Sequence, residues 1–168
     1  MNKTIDIPDW DTYYMGEAFW IASRSPDPRT KHGSIIVKNH KPISQGYNGY
    51  PKDCNDAKMP NEPPQKYKVI LHSEVNAILF ANESLEGATI YVTGMPCSQC
   101  LCKIIQKGIT RIVYGPQNSF MLDESEKKVI EILLQEHPEL EVVEYINPDI
   151  TYWCKQYLKK IKTLFEKT

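Results

Sequence analysis

The 168-residue chain predicts a layered α/β domain, and three observations point there. Helix-type and strand-type segments alternate along its length, as expected of a sheet covered by helices. The strand-type segments are short runs rich in β-branched residues, such as Ile35-Ile36-Val37 and Thr89-Ile90-Tyr91-Val92, set between polar or glycine-containing turns. No internal repeat or low-complexity linker divides the chain. Its length suits a single domain over 1–168 with a sizeable core.

Each element can be justified in turn. Asp9 is placed to cap a first helix running to about Ser25, with Trp10, Tyr14, Ala18, Ile21 and Ala22 near one face and Pro26 and Pro28 to end it. Ser34 to Val37 and Ile43 to Tyr47 read as a strand pair across a short polar turn. From Gly49 to about Lys66 the Gly, Asn and Pro content predicts an irregular loop. A helix begins at His72 and continues through Val75, Ile78, Leu79 and Phe80. Thr89 to Val92 is a short buried strand, and Cys97 to Lys107 a second helix stopped by Gly108. Arg111 to Tyr114 is a strand, Ser125 to Gln135 a helix, and Leu140 to Tyr145 the last strand. From about 149, Ile150, Trp153, Tyr157, Ile161 and Leu164 form a helical stripe, either packed on the domain or meeting another subunit.

Composition narrows the class. With 41% hydrophobic and 24% charged residues the chain reads as an ordinary soluble globular protein. Nothing at the N-terminus resembles a signal peptide, and no segment is apolar for long enough to span a bilayer. A cytoplasmic location without membrane partners is expected, in the host cytoplasm if the gene is viral. The net charge of −1, with 17 dispersed lysines and only three arginines, argues against a polynucleotide ligand and for a small nucleotide. Five cysteines do not form a disulfide framework. Cys54, Cys102 and Cys154 read as free thiols, since Cys102 turns away from Cys100 on a helix.

The chemistry is concentrated in His72-Ser73-Glu74 and Pro96-Cys97-Ser98-Gln99-Cys100. His72, Cys97 and Cys100 supply one imidazole and two thiolates, three natural zinc ligands; a closed structural site takes four, whereas a catalytic one keeps a position for water. Glu74 stands two positions from the ligand histidine, where it can handle that water's protons. The H-x-E…P-C-x-x-C pattern marks zinc-dependent nucleobase deaminases. Two thiolates separated by two residues at a helix start can reach one ion, and the helix N-terminus favours their charge. The ion would then sit between two helix N-termini across one strand. Zinc binds deprotonated thiols and neutral imidazole and brings the pKa of bound water towards about 7. Glu74 would take a proton from the water, pass it to the ring nitrogen beside the amine-bearing carbon, and later protonate the leaving ammonia. A structural four-ligand site needs a further donor, and His32, His40 and His137 stand in no ligand-spaced pair. A redox reading of Cys97 and Cys100 leaves His72 and Glu74 unexplained.

Around this motif the chain resembles the dCMP deaminases of the cytidine and deoxycytidylate deaminase superfamily from about Trp10 to Tyr145. The likeness rests on Trp10 to Met15, Arg24 to Thr30, Gly46-Tyr47-Asn48-Gly49, His72 to Ala77, and Gly87 to Ile112. It implies a three-layer α/β/α fold with a five-stranded mixed sheet, and deamination of dCMP to dUMP and ammonia in support of thymidylate synthesis. Asn48 would then bond the deoxyribose and Arg29 the 5′-phosphate. Regulation by dCTP (activator) and dTTP (inhibitor) with Mg2+ would involve Gly46, Tyr47, Asn48 and Gly49, in a homo-oligomer, commonly a hexamer. Taken alone, Arg29 is equally a surface cation in a turn, and the glycine-containing segment equally a turn at a strand end. Three features depart from the family pattern. Ser73 replaces the usual alanine, His32 stands where an apolar residue is common, and Phe120 lies near the place of a base-closing tyrosine. The short loop after Cys54 lacks the Cys and His residues of a second site, so one zinc per subunit is expected. Within the same chemistry, dCTP or both dCMP and dCTP are alternative substrates, as is a free nucleoside; an adenosine in tRNA fits the charge poorly. A non-catalytic, zinc-stabilised nucleotide-binding regulator is the alternative from another class, and an intact Glu74 argues against it.

Overall fold

The computed structural model describes residues 7–117 and 123–147. Within them, four helices and five strands alternate: α1 (Trp10–Ala22), β1 (Gly33–Lys38), β2 (Lys41–Tyr47), α2 (Ser73–Phe80), β3 (Thr89–Val92), α3 (Ser98–Gln106), β4 (Arg111–Tyr114), α4 (Glu124–Glu136) and β5 (Glu141–Glu144). The strand order is β2-β1-β3-β4-β5. β1 runs antiparallel to both β2 and β3, whereas β3, β4 and β5 are parallel to one another. The mixed sheet follows from the connections. Asn39 and His40, both at positive φ (51° and 58°), close β1 onto β2 as a tight hairpin. α3 and α4 provide the longer crossovers that parallel neighbours need. The five-stranded α/β/α architecture expected from the resemblance is the observed one.

Strand residues alternate between two cores. Ile36, Ile90, Val92 and Ile112 face Ala77 and Ile78 of α2, Leu101 and Ile104 of α3, and Ile130 of α4. Ile35, Val37, Tyr91 and Val113 face Tyr14, Met15, Ala18 and Ile21 of α1. Burial on both faces explains why the inner strands read as continuous apolar runs. α1 is pinned to β4 by polar contacts as well: Arg111 Nη1 and Nη2 donate to Asp11 Oδ1 and Oδ2, each at 2.8 Å. The Tyr91 hydroxyl donates to Asp11 Oδ1 at 2.8 Å.

Element boundaries shift where side-chain chemistry intervenes. α1 ends at Ala22 rather than about Ser25, because Ser23, Arg24 and Ser25 turn back onto the carbonyls of Trp20, Ile21 and Ala22. The prolines therefore follow the stop instead of making it. Asp9 caps α1 as expected, accepting from the Thr12 amide at 2.7 Å. Trp10 is 53% exposed, outside the buried face, and lies against Tyr14 and His40. Leu79 and Phe80 also end α2 in the open. The long loop holds two short 3-10 turns, Asp56–Lys58 and Lys66–Lys68. Gly108 (φ +70°) ends α3 as a left-handed C-cap. Among the described residues, no helix is long and apolar enough to cross a membrane. Phe120, Cys154 and the expected C-terminal helix lie outside the described residues.

Candidate active site

The two metal-motif segments are both helix starts. His72 is the N-cap residue of α2 and Cys97 that of α3, each in extended backbone conformation. Glu74 falls in the first turn of α2 and Cys100 in the first turn of α3. The His72 Nδ1 and the Sγ atoms of Cys97 and Cys100 lie within 4.8 Å of one another. Nδ1 is 3.5 Å from Cys97 Sγ and 3.3 Å from Cys100 Sγ. Donors bonded tetrahedrally to one zinc ion at ordinary N and S bond lengths would stand roughly 3.5–3.8 Å apart, so the cluster fits such an ion with little adjustment. Among the described residues no fourth His, Cys, Asp or Glu joins the group. That leaves the coordination number of a site that keeps a place for water. Cys102 is exposed and stands apart.

Electrostatics within the cluster favour an ionised Cys97. The hydrogen bond from Cys100, helped by His72 and opposed by burial, pulls the Cys97 thiol down to about 4. Cys100 is pushed up, first by the same bond and then by burial. His72 is raised, chiefly by its bond to Cys97. The bond between the two thiols thus favours one thiolate, and a cation would take the place of the proton the other holds. Glu126 of α4 fixes this turn from outside, its Oε1 accepting from the Ser98 amide at 2.6 Å.

Glu74 is 5% exposed, not a solvent-facing helix residue. Its Oε2 accepts from the Ser73 hydroxyl at 2.8 Å, and Ser73 Oγ lies 2.7 Å from Ser34 Oγ of β1.

His72, Ser73, Glu74 and Cys97 line a cavity of about 460 Å³ together with Asp27, Arg29, Thr30, His32, Asn48, Lys66 and Tyr67. The size suits a nucleotide-sized ligand. Asp27 organises this wall. Its Oδ1 accepts from the amides of Arg29 (2.9 Å) and Thr30 (3.1 Å), and its Oδ2 from Asn48 Nδ2 (3.3 Å) and Lys66 Nζ (2.6 Å). Burial alone would raise the Asp27 carboxyl, but Lys66 and the two amides outweigh it and hold the group below its usual range. His32 is lowered by burial, against the opposing field of Glu74.

The expected binding residues separate. Arg29 and Asn48 both line the cavity. Arg29 Nη1 is 3.1 Å from Glu62 Oε2 in a pair that is 56% and 68% exposed, readily displaced by an incoming anion. The Asn48 amide is committed to its own wall. Nδ2 donates to Thr30 O at 2.9 Å as well as to Asp27, and Oδ1 accepts from the His32 amide at 2.7 Å. Only the second lone pair of Oδ1 is left for a ligand hydroxyl. Of Gly46, Tyr47, Asn48 and Gly49, only Asn48 lines the cavity. Gly46 is pressed under α2, Gly49 is bridged to Leu71, and the Tyr47 carbonyl accepts from Asn76 Nδ2 at 2.7 Å. Sequence reasoning missed Asp27, His32, Lys66, Ser34 and Glu126. Asp27 was visible only inside the Arg24–Thr30 resemblance, His32 only as a departure from it, and Lys66 carried no signal.

Comparison with known proteins places these residues in context. The family model for the cytidine and deoxycytidylate deaminase zinc-binding region matches residues 8–116. The deoxycytidylate deaminase of Homo sapiens is 37% identical over 121 residues, covering 67% of this chain and 68% of that protein. The deoxycytidylate deaminase of Mycobacterium phage D29 is 38% identical over 125 residues, covering 66% of this chain and 98% of that protein. The crystal structure of dCMP deaminase from cyanophage S-TIM5 in complex with dCMP and dUMP superposes with a TM-score of 0.64 at 26% identity. It covers 83% of this chain and 99% of the phage chain.

Proposed function

The chain belongs to the cytidine and deoxycytidylate deaminase family and is a deaminase, and on that premise we propose that it converts dCMP to dUMP and ammonia, with His72, Cys97 and Cys100 holding one catalytic zinc and Glu74 carrying the protons. The observation that supports this most is a buried carboxylate, two residues from His72, lining the same nucleotide-sized cavity as His72 and Cys97 of the three-donor cluster. Zinc held there would supply a water acidified to about neutral pKa. The rest falls to the protein. Glu74 takes a proton as the water oxygen adds to the amine-bearing carbon and delivers it to the neighbouring ring nitrogen; it then takes the second proton from the new hydroxyl and gives it to the departing amine, which leaves as ammonia while the C–O bond becomes the carbonyl. The same carboxylate serves as base and acid because the two steps are sequential. Arg29, released from Glu62, pairs with the 5′-phosphate, and Asn48 Oδ1 accepts from the sugar.

Control by dCTP and dTTP with Mg2+, at the segment 46–49, is part of the proposal, as are a homo-oligomeric (hexameric) assembly and a cytoplasmic location. The bond from Asn76 to the Tyr47 carbonyl supports the regulatory role: a nucleotide that moves this segment would move α2, which carries His72 and Glu74. Phe120 is proposed to close over the base; it lies outside the described residues.

Ammonia release from dCMP, dCTP and deoxycytidine tests the reading. Release from dCMP in preference to the other two is expected. A zinc-loaded protein that deaminates none of them sinks the proposal, and preference for dCTP overturns the substrate. An unchanged dCMP saturation curve on addition of dCTP or dTTP with Mg2+ rules out the regulation.

A further inference from the structure

Ser34 and Ser73 lie on different elements, β1 and the first turn of α2, and both are fully closed to solvent. Two buried hydroxyls are costly unless bonded, and these are bonded in one line: Ser34 Oγ to Ser73 Oγ at 2.7 Å, Ser73 Oγ to Glu74 Oε2 at 2.8 Å. We propose that Ser73, backed by Ser34, is a positioning residue for Glu74, fixing Oε2 as an accepting oxygen and leaving Oε1 to transfer the proton. The inference rests on the reading of Glu74 as the proton carrier.

The direction of the line follows from counting protons. Each hydroxyl has one. Facing an ionised Glu74, Ser73 spends its proton on Oε2, so Ser34 must donate to Ser73. The reverse direction, with a proton on Oε2 donated to Ser73 and Ser73 donating to Ser34, leaves the Ser34 proton without an acceptor. Among the described residues Ser34 Oγ has no other hydrogen-bond partner, and no solvent reaches it. The Ser34 proton therefore points at Ser73 Oγ and the Ser73 proton at Oε2, whether or not Glu74 is protonated. The proton that Glu74 gains from water settles on Oε1. A single oxygen of fixed position then receives the proton and returns it, with no carboxyl rotation between the two steps. A donor to a charged group also holds the carboxylate in one rotamer, the geometric requirement for proton transfer.

The test measures kcat and KM for dCMP with zinc-loaded Ser73→Ala, Ser34→Ala and the double variant, with zinc content determined for each and Glu74→Gln run in parallel. Ser73→Ala is expected to lower kcat about ten-fold while KM stays within about two-fold. Ser34→Ala should lower kcat less, because Ser73 still donates, and the double variant should match Ser73→Ala, since the second hydroxyl acts only through the first. A merely structural role would instead move KM or zinc content, and the two losses would multiply. Wild-type kcat in Ser73→Ala, or multiplied losses, overturns the inference. Should Ser73→Ala fail to fold, Ser34→Ala decides: a lower kcat at constant KM supports the relay, and an unchanged kcat rejects it. Full activity in Glu74→Gln defeats the underlying reading. An inactive Glu74→Gln beside a fully active Ser73→Ala defeats the relay alone.

Discussion

The Lys66 ammonium lies 2.6 Å from Asp27 Oδ2, and both side chains are nearly closed to solvent. Lysine and aspartate are seldom so buried without a partner, and here each is the other's. The pair ties the 3-10 turn at Lys66 to the 27–30 turn, so two segments between the main helices and strands form one wall of the cavity.

Removing one member should leave a stranded charge. Lys66→Met is expected to lower stability by about 3 kcal/mol, and Asp27→Asn with Lys66→Met together to recover part of it. Urea unfolding of the wild type and the two variants checks this. KM for dCMP should rise several-fold in Lys66→Met; an unchanged KM and unchanged stability would show that the wall does not depend on the pair.

The Asp11–Arg111 clamp predicts an acid-sensitive fold. The Arg111 hydrogen bond, with that of Tyr91 and against burial, holds the Asp11 carboxyl below its usual 3.8. A depressed folded-state pKa contributes stability above 3.8 that is lost as pH falls from there through the folded value. Asp11→Asn should destabilise the protein near neutral pH by about 1–3 kcal/mol and lose less below pH 4 than the wild type does. Unfolding curves between pH 7 and pH 3 report both. Parallel pH profiles for the two proteins would rule out the clamp.

Gly46 should tolerate no side chain. A Cβ there would stand 2.3 Å from both the Ser73 carbonyl oxygen and the Ala77 amide nitrogen, which are backbone atoms with no easy way to yield. Gly46→Ala is expected to cost about 2 kcal/mol or more. Because the atoms that must move belong to α2, kcat should fall too. Thermal unfolding together with dCMP kinetics measures the two effects.

These cases show what the sequence did and did not reveal. Strands β3 and β4 were legible to the residue because their inner residues, Ile90-Tyr91-Val92 and Ile112-Val113, are buried on both faces and read as short apolar runs. The cluster of His72, Cys97 and Cys100 was legible because metal ligation ties residue type to spacing. The end of α1 was not, since Ser23 folds back onto the Trp20 carbonyl where the prolines seemed the obvious stop. Lys66 was not, because a lone lysine in a loop gives no hint that it meets Asp27 across 39 positions. Asn48 lines the cavity, but its amide is engaged in holding the wall together, a matter of tertiary hydrogen bonding that no local pattern encodes.

Metal removal offers an independent check on the cluster. One zinc per chain is expected, and Cys100→Ser should reduce zinc retention against a chelator by at least about ten-fold. Chelation should also lower the thermal midpoint, since an ion bound only by the folded state stabilises it. Equal zinc content in wild type and Cys100→Ser would remove Cys100 from the site.

The proton-carrying role of Glu74 is the centre of the account, and Glu74→Gln tests it most directly because it keeps the shape and removes the exchangeable charge. Ammonia release from dCMP by zinc-loaded wild type and Glu74→Gln should differ by about 10²–10⁴-fold in kcat, with zinc content unchanged. Wild-type turnover by a zinc-loaded Glu74→Gln protein would contradict it.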